Sequence, residues 1–510
     1  MIAQTIAGIA LTIGVASASS GARPAAAPVT TVEVTIDEGQ PGAPISPLIR
    51  GINGDLTAPE MQAAGILFGS WGGNPNSRYN YEIGHAWNTA ADWEFRNVNY
   101  DQPEGDAVRE YADLNAAAGG VTRLAVPALG WIAKDDNPDN CSFPDGQGGC
   151  QWANWDCANP GPIADPYATS IESTSEMVAA WVAEMVAGEV PIQFLAIDNE
   201  PELWGYTHYD VHPECTTFEE VLTTYIDYAQ ALRPVAPDAE LLGPVICCWY
   251  DFWRPDATAP DGSDLDFLRY FLRGVQAADE SFGQRTLDVL DVHYYPQSNV
   301  FNDDTDPETN ARRLRSTRSL WDPDYVDESW IDTEIEFLPR LRATVADSYP
   351  DTPIGITEWN FGADGDINGA LAIADVLGIY GREGVYVAAY WRSPAPGSPG
   401  YHAFTMHGNY DGDGAAFEGA VLPATTSEVD TVSVFAALDD DGTLRVMLIN
   451  KNPSDAVTVD TDIAASRDHG RRFTYAASDL EAIDETAVTA APTTIELEPS
   501  SITVFELPGG

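Results

Sequence analysis

Short apolar runs alternate with amphipathic helical patterns along most of the chain, and these runs number eight. Most are unbroken apolar segments, as expected of parallel strands that are covered on both faces. The runs are residues 45–52, 66–71, 123–129, 194–197, 241–246, 287–292, 354–357 and 385–391. Eight strands that alternate with helices predict a (β/α)8 TIM barrel, an α/β fold, over residues 45–400.

The helical patterns between the runs indicate core packing. From Ser175 to Ala187, two methionines, a tryptophan and a valine recur at helical spacing and predict an amphipathic helix. We interpret this apolar stripe as the contact between helix and barrel, without a role in a site. Similar patterns predict helices at residues 218–232 and 367–378.

From about Tyr401 the pattern changes to short alternating strands with turn signals, which is typical of a β-sandwich. The predicted strands are residues 431–438, 444–450, 493–497 and 501–507. Residues 31–36 also alternate, and we expect them to add a strand to the same sandwich. The sequence thus predicts an accessory domain made of residues 29–44 and 401–510.

Two glutamates stand at the ends of predicted barrel strands, Glu200 after the fourth run and Glu358 after the seventh. Barrel enzymes carry their active sites at this end of the strands. Cleavage of a glycosidic bond needs one carboxyl to protonate the leaving oxygen and another to attack or stabilise the anomeric carbon. Opposed strands can bring two carboxyls to the ~5–5.5 Å separation of a retaining enzyme. Either glutamate alone would be interpreted as a solvated loop acid, but the pair predicts a retaining glycoside hydrolase.

The chain is strongly acidic, with a formal net charge of −54 and two lysines, Lys134 and Lys451. This charge argues against nucleic acid as a partner. Abundant carboxylates with few lysines favour adaptation to a saline environment, where counter-ions screen the repulsion between surface charges. An ordinary acidic secreted protein is the alternative.

The first residues predict export. The apolar stretch from Ile2 to Val15, followed by Ala16-Ser-Ala18, is typical of a secretory signal, although no basic residue precedes it. We interpret residues 1–28 as signal and linker. A membrane anchor is the alternative, but the stretch is shorter than the ~20 apolar residues that span a bilayer. We therefore expect a secreted, extracellular protein without a membrane partner.

Six cysteines agree with export, because an even count favours disulfides, although sequence cannot choose among the possible pairings. They are Cys141, Cys150, Cys157, Cys215, Cys247 and Cys248. In a barrel, all six would lie in loops at the same end. A zinc site is the competing interpretation, but no C-x-x-C or nearby histidine pair offers the spacing.

Several longer motifs carry a family resemblance. Asn199-Glu200-Pro201, with a glutamate at the seventh strand, is similar to the retaining (β/α)8 glycosidases. The segments that narrow the match are Trp71-Gly-Gly-Asn74, Arg78-Tyr-Asn-Tyr-Glu82, Ala91-Asp-Trp93, Val292-His-Tyr-Tyr-Pro296 and residues 321–330. With them the chain resembles glycoside hydrolase family 44, the endoglucanase and xyloglucanase family, over nearly its whole length.

The resemblance implies a retaining, endo-acting β-1,4-glucanase that needs no cofactor, with Glu200 as general acid/base and Glu358 as nucleophile. Its substrates would be plant-type β-glucans: cellulose derivatives, xyloglucan and mixed-linkage glucan. Asn199 would hydrogen-bond the sugar 2-hydroxyl, and Tyr295 would donate to Glu358. His293 would orient either carboxylate, or alternatively it is a histidine satisfied in the barrel mouth.

Aromatic side chains should line the cleft, because sugar rings present C–H faces that pack on indole and phenol. The expected platforms, each at or just past a strand end, are Trp71, Trp131, Trp359 and Trp391. Core packing is an equal alternative for Trp131. We count Asn74 of the Trp-Gly-Gly-Asn motif with the substrate-binding residues.

One position departs from the resembled pattern: Ser70 stands where an arginine is expected. We expect the change to alter hydrogen bonding beneath the nucleophile or the shape of a subsite, and so to affect substrate preference more than the type of reaction. Members of the resembled family can bind calcium, and Asp411-Gly-Asp413 and residues 136–139 have oxygen-rich spacing, so a structural calcium stays open without assigned ligands.

Two other functions remain open. One is an exo-acting retaining glycosidase, a xylosidase or arabinofuranosidase, on the same plan, which product size would separate from an endo-acting enzyme. The other is a non-catalytic carbohydrate-binding protein, which the presence of both Glu200 and Glu358 argues against. We expect a monomer.

Overall fold

A computed structural model describes residues 31–100, 106–152, 154–253 and 265–509. The expected signal segment lies outside these residues. Within them, no helix is long and apolar enough to cross a membrane.

Eight parallel strands close into a barrel, as the alternation of the sequence predicts. They are Gly51–Asn53, Phe68–Trp71, Val121–Val126, Phe194–Ile197, Glu240–Ile246, Val289–Tyr294, Ile354–Trp359 and Val387–Trp391, here called barrel strands one to eight. The eighth strand pairs with the first and closes the ring. All eight lie at or within a few residues of the predicted runs, because strands covered on both faces are marked by continuous apolar segments.

Helices follow the strands and pack around the barrel. The long ones are Ala58–Ala64, Ala107–Ala118, Ser175–Ala187, Phe218–Leu232, Phe267–Phe282, Pro307–Ser316, Phe337–Ser348, Ile367–Glu383 and Pro399–Gly408, and the short ones are Trp204–Thr207 and Trp249–Phe252. Single 3-10 turns are Pro47–Ile49, Asn74–Arg78, Ala90–Asp92, Pro166–Ala168, Pro201–Leu203 and Thr317–Leu320. The helix predicted at residues 367–378 continues to Glu383, where Gly384 ends it in a left-handed conformation.

The expectation that the strand pattern begins at about Tyr401 is wrong. Tyr401 lies in the helix Pro399–Gly408, which begins with a Ser398 cap and Pro399 in its first turn. Its buried residues include Phe404 and Met406, so this helix belongs to the barrel's outer layer. The first strand beyond it begins at Ala420.

Two antiparallel-rich sheets form the accessory sandwich. The six-stranded sheet runs in the order Ala420–Leu422, Val432–Leu438, Leu444–Asn450, Ser501–Leu507, Gly470–Ala476, Asp479–Val488. The four-stranded sheet runs in the order Ala424–Thr426, Thr31–Ile36, Val457–Thr461, Thr494–Leu497, so the first described strand of the chain joins it. Two short hairpins, Trp87–Asn88 with Asn97–Val98 and Trp131–Ala133 with Ser170–Glu172, lie in the barrel's loops.

The central strands of the six-stranded sheet are buried on both faces, whereas its edge strand Asp479–Val488 is largely exposed. Val434, Val446 and Leu448 face the other sheet, whereas Phe435 and Met447 join the core shared with the barrel. The helix Ile367–Glu383 approaches so closely that a Cβ atom at Gly378 would stand 2.4 Å from the Phe435 ring. A buried ion pair, Lys451 Nζ to Asp375 Oδ2 at 2.8 Å, ties the sandwich to this helix.

All six cysteines form disulfides: Cys141–Cys150, Cys157–Cys215 and Cys247–Cys248. They lie in the loops that follow the third, fourth and fifth barrel strands, at the end of the barrel that carries Glu200. The zinc interpretation of these cysteines is therefore wrong.

Candidate active site

The turn after the fourth barrel strand places Glu200. Asp198 and Glu200 both have left-handed backbone conformations, with φ angles of 65° and 44°. The buried Asp198 carboxylate accepts hydrogen bonds from Ala128 N (2.6 Å), Asn199 N (2.8 Å) and Trp204 Nε1 (3.3 Å). Positive φ angles in non-glycine residues cost energy and persist only where surrounding contacts hold them. Asp198, which the sequence analysis did not single out, supplies those contacts.

Glu358 projects from inside the seventh strand, next to a β-bulge. Val292 pairs with Ile356, and His293 pairs with Glu358, so Thr357 is one extra residue opposite the sixth strand. Bulges of this kind re-aim side chains next to active sites. Asp291 holds the bulge, because its Oδ1 accepts from Thr357 N (3.2 Å) and its Oδ2 accepts from Thr357 Oγ1 (2.7 Å).

His293 bridges the two glutamates. Its Nδ1 lies 2.9 Å from Glu200 Oε1 and 3.4 Å from Glu358 Oε2. One ligand atom from each of the three residues lies within 4.8 Å of the other two. The carboxyls therefore stand at the short separation of a retaining pair, closer than the ~6.5–9.5 Å that leaves room for a water in an inverting site. The Nε2 atom of His293 is buried and has no partner among the described residues, which disfavours a satisfied structural histidine.

Glu358 and His293 shift each other's pKa. Burial is the main reason that the pKa of Glu358 rises to about 7, and the nearby Glu200 carboxylate raises it further. His293, Arg123 and Tyr295 act in the opposite direction and lower this pKa. Burial lowers the pKa of His293, but the carboxylates of Glu358 and Glu200 outweigh it, so the net shift is upward. When two groups interact this strongly, the protons that they bind belong to the pair and not to either residue alone.

Tyr295 donates a hydrogen bond from its hydroxyl to Glu358 Oε2 at 3.1 Å. Burial and the two carboxylates raise the pKa of Tyr295 well above its usual value, so the phenol keeps its proton. The other carboxylate oxygen of Glu358, Oε1, is buried and has no partner among the described residues. Glu358 thus offers one oriented oxygen and one unpartnered oxygen.

Asn199 lies between Glu200 and the Trp-Gly-Gly-Asn segment. Its Oδ1 accepts from Gly73 N (3.1 Å), and its Nδ2 donates to Asn74 Oδ1 (3.2 Å). Asn74 in turn donates to Asp92 Oδ1 at 3.1 Å. These contacts bring the loops after the second and fourth strands together beside Glu200.

The four predicted tryptophan platforms differ in exposure. Trp359 is 0% exposed and packs edge-on against Tyr380 and Tyr390, so its prediction as a sugar platform is wrong. Successive residues of a strand face opposite sides, and Glu358 points into the site, so Trp359 points to the helices. Trp391 is partly exposed, and a Cβ atom at Gly73 would lie 2.8 Å from its ring.

Trp71 and Trp131 are also partly exposed. Trp71 packs edge-on against Tyr79, with ring centroids 4.8 Å apart. Trp131 packs edge-on against Tyr167, at 5.3 Å, and against the small apolar cluster that contains Trp204. Both packing and substrate contact remain compatible with these two side chains.

The structure adds residues that the sequence analysis missed. Trp330, 61% exposed, donates from Nε1 to Gln297 Oε1 (3.3 Å). Gln297 lines a small recess together with His293 and Tyr295. Trp330 lies in a motif that carried the resemblance, but the sequence does not show that its side chain is exposed near the site. Glu202 is a third carboxyl near Glu200; its pKa is raised well above its usual value by burial and by that neighbour.

One group of side chains in the described part of the chain is close enough to hold a metal ion through carboxylate or imidazole ligands. It consists of Glu200, His293 and Glu358. The oxygen-rich segments at which a structural calcium stayed open form no such group among the residues that the structure describes. Asp411 instead accepts from Asp413 N and Ala415 N, both at 2.9 Å, and pairs with Arg471.

Comparisons with known proteins agree with this geometry. The family model of glycoside hydrolase family 44 matches residues 86–298. Endoglucanase A of Paenibacillus lautus is 29% identical over 504 residues, which cover 91% of this chain and 70% of the relative. The crystal structure of CelM2, a bifunctional glucanase-xylanase from a metagenome library, is 31% identical with a TM-score of 0.85, covering 94% of this chain and 99% of that one.

A xyloglucanase of family 44 from Paenibacillus polymyxa, solved with xyloglucan, is 26% identical with a TM-score of 0.82, and covers 94% of this chain and all of that one. An arabinofuranosidase from Xanthomonas axonopodis shares the fold at 15% identity and a TM-score of 0.63. The identity to CelM2 over nearly both whole chains, together with the family model, shows that this chain belongs to glycoside hydrolase family 44.

Proposed function

We propose that the protein cleaves the backbone of β-1,4-glucans by double displacement, with Glu358 as nucleophile and Glu200 as general acid/base. As a member of family 44 it is an endo-acting glycoside hydrolase of the endoglucanase and xyloglucanase type. The observation that carries the residue roles is the cluster of Glu200, His293 and Glu358 within 4.8 Å, from the turn after the fourth barrel strand and from the sixth and seventh strands.

In the first step, Glu358 attacks the anomeric carbon while Glu200 gives its proton to the glycosidic oxygen, and the leaving chain departs. In the second step, the Glu200 carboxylate takes a proton from water, the water oxygen attacks the anomeric carbon, and Glu358 is released. Loss of the Glu358 charge in the intermediate removes a repulsion from Glu200 and favours the ionised base needed next.

The contacts support this assignment of roles. Glu358 has the buried, hydrogen-bonded carboxylate that a nucleophile held in line requires, with Tyr295 donating to one oxygen. The Glu200 side chain is more exposed, 13% against 6% for Glu358, as suits a group that meets the leaving chain and then a water. Asn199 is fixed by Gly73 and Asn74 next to Glu200, where an amide can bind the sugar 2-hydroxyl.

The first experiment measures reducing-sugar release and product size on carboxymethylcellulose, xyloglucan, lichenan, xylan and mannan. We expect oligosaccharides from the β-glucans and a fall of about 10²-fold or more in Glu200→Gln and Glu358→Gln. Glu308→Gln, at an 80% exposed glutamate of an outer helix, is the matched control. Single sugars as the product would identify an exo-acting enzyme, and binding without turnover would identify a carbohydrate-binding protein.

Azide separates the two glutamate roles on an aryl β-cellobioside. In Glu358→Ala, azide enters the vacated space, attacks the anomeric carbon and gives the α-glycosyl azide. In Glu200→Ala, azide attacks the glycosyl-enzyme instead and gives the β-glycosyl azide. Azide products of the opposite configurations would refute the assignment.

We propose further that the enzyme works outside the cell in a saline environment, as a monomer. The net charge of −54 with two lysines, and three disulfides, support this. Raising KCl from about 0.1 to 2 M should screen the repulsion and increase both the melting temperature and kcat/KM. A steady loss of both with salt would contradict the proposal.

A further inference from the structure

Arg123 is a buried arginine inside the barrel that sequence analysis gave no role. It lies on the third strand, directly paired with Ser70 of the second strand. Its side chain is 0% exposed and forms an ion pair with Asp291 of the sixth strand, Nη2 to Oδ2 at 3.2 Å. Its Nη1 donates to Ser70 Oγ at 3.1 Å. A buried ion pair is costly to form and often adds no stability, so packing alone does not account for it.

The contacts of Arg123 lead to the nucleophile. Asp291 Oδ2, which accepts from Arg123, also accepts from Thr357 Oγ1, and Asp291 Oδ1 accepts from Thr357 N. Thr357 is the bulged residue that immediately precedes Glu358. The orientation of the Asp291 carboxylate therefore fixes the bulge, and the bulge directs Glu358 into the site.

The small residues around the guanidinium give it room. Ser70 replaces the arginine expected before the Trp-Gly-Gly-Asn segment, and Arg123 reaches its hydroxyl from the neighbouring strand. A Cβ atom at Gly72 would lie 2.8 Å from Arg123 Nη1, so the same guanidinium also touches the loop that carries Asn74. Arg123 thus connects the second, third and sixth strands beneath both halves of the site.

We propose that Arg123 is a positioning residue for Glu358, which holds the Thr357 bulge through Asp291 and supplies a positive charge that favours the ionised nucleophile. The proposal rests on the role of Glu358 proposed above. The titratable groups that face Glu358 are Glu200 from the fourth strand's turn, Asp291, His293 and Tyr295 from the sixth strand and its loop, and Arg123 from the third. Burial raises the pKa of Glu358, and Arg123 opposes that rise.

The test compares Arg123→Met, Arg123→Lys and the control Arg445→Met in kcat, KM and the pH profile of kcat/KM. Arg445 is a buried, ion-paired arginine of the sandwich. In Arg123→Met we expect kcat to fall at least tenfold with KM within threefold, and the acidic limb to move up by about 0.5 unit or more, because an opposite charge is lost. Arg123→Lys keeps the positive charge, so the acidic limb of its pH profile should stay near that of the wild type. Its kcat should fall, because an ammonium group cannot bind Asp291 and Ser70 together as the planar guanidinium does.

An acidic limb that stays at the wild-type pH in folded Arg123→Met would overturn the proposal, as would equal shifts in the Met, Lys and Arg445→Met proteins. Should Arg123→Met fail to fold, Arg123→Lys decides through its kcat: a fall of at least fivefold at constant KM supports positioning, and an unchanged kcat refutes it. The azide products of Glu358→Ala test the nucleophile role of Glu358 independently. An incorrect assignment of Glu358 can therefore be distinguished from an incorrect inference about Arg123.

Discussion

Removing the Tyr295 hydroxyl should make Glu358 harder to ionise. The hydroxyl donates to Glu358 Oε2 at 3.1 Å and so stabilises the charged carboxylate against the burial that raises its pKa to about 7. A hydrogen bond to a charged group contributes about 1.5–3 kcal/mol. At 3.1 Å it is longer than the ~2.5–2.7 Å of strong bonds of this kind, so we take the lower value.

A loss of about 1.5 kcal/mol corresponds to about one pKa unit. Activity needs ionised Glu358, so the acidic limb of kcat/KM should move up by about one unit in Tyr295→Phe. Well above that limb, kcat/KM should fall less than about tenfold, because the carboxylate is then ionised in both proteins. The assay is kcat/KM on a soluble β-glucan from about pH 4 to 9 in constant ionic strength.

Tyr380→Phe is the matched control, because the Tyr380 hydroxyl is buried without a partner among the described residues. Its removal should leave the limb in place. A limb that is unchanged in Tyr295→Phe, or that moves to lower pH, would refute the reasoning about the Glu358 charge.

Three further changes test other parts of the molecule. Trp391→Ala should raise KM for oligosaccharides about fivefold, as expected for loss of an aromatic contact worth about 1 kcal/mol, with little change in melting temperature; an unchanged KM would make Trp391 a packing residue. Lys451→Met should lower the free energy of unfolding in urea by about 3–5 kcal/mol, because it leaves the buried Asp375 carboxylate without its opposite charge, hydrogen-bonded to Thr317 Oγ1, while kcat/KM stays within twofold; a loss under 1 kcal/mol would contradict this. The double change Cys157→Ser/Cys215→Ser opens a bridge with a sequence separation of 58 and should cost about 4 kcal/mol in the same assay; equal stability with and without the bridge would show that the loop is held by other contacts.

Local patterns in the sequence are sufficient to predict the barrel and the positions of the two glutamates. Continuous apolar runs mark strands covered on both faces, so local pattern was enough to predict all eight, and the ends of the fourth and seventh placed Glu200 and Glu358 on one side of the barrel. The alternation at Thr31–Ile36 predicted a strand, and the structure pairs it with Val457–Thr461 of the sandwich, as we expected. The local pattern wrongly predicted strands from about Tyr401, where buried aromatic and methionine residues instead form a helix against the barrel.

Contacts between distant side chains depend on the three-dimensional fold. Trp359 directly follows Glu358 in the sequence. Because the Glu358 side chain points into the site, the Trp359 side chain points into the core. The Cys157–Cys215 disulfide, the His293 bridge and the Arg123 to Asp291 contact join residues far apart in sequence. Such contacts depend on how strands pair in register and where a bulge falls, and neither is encoded in the local alternation of apolar and polar residues.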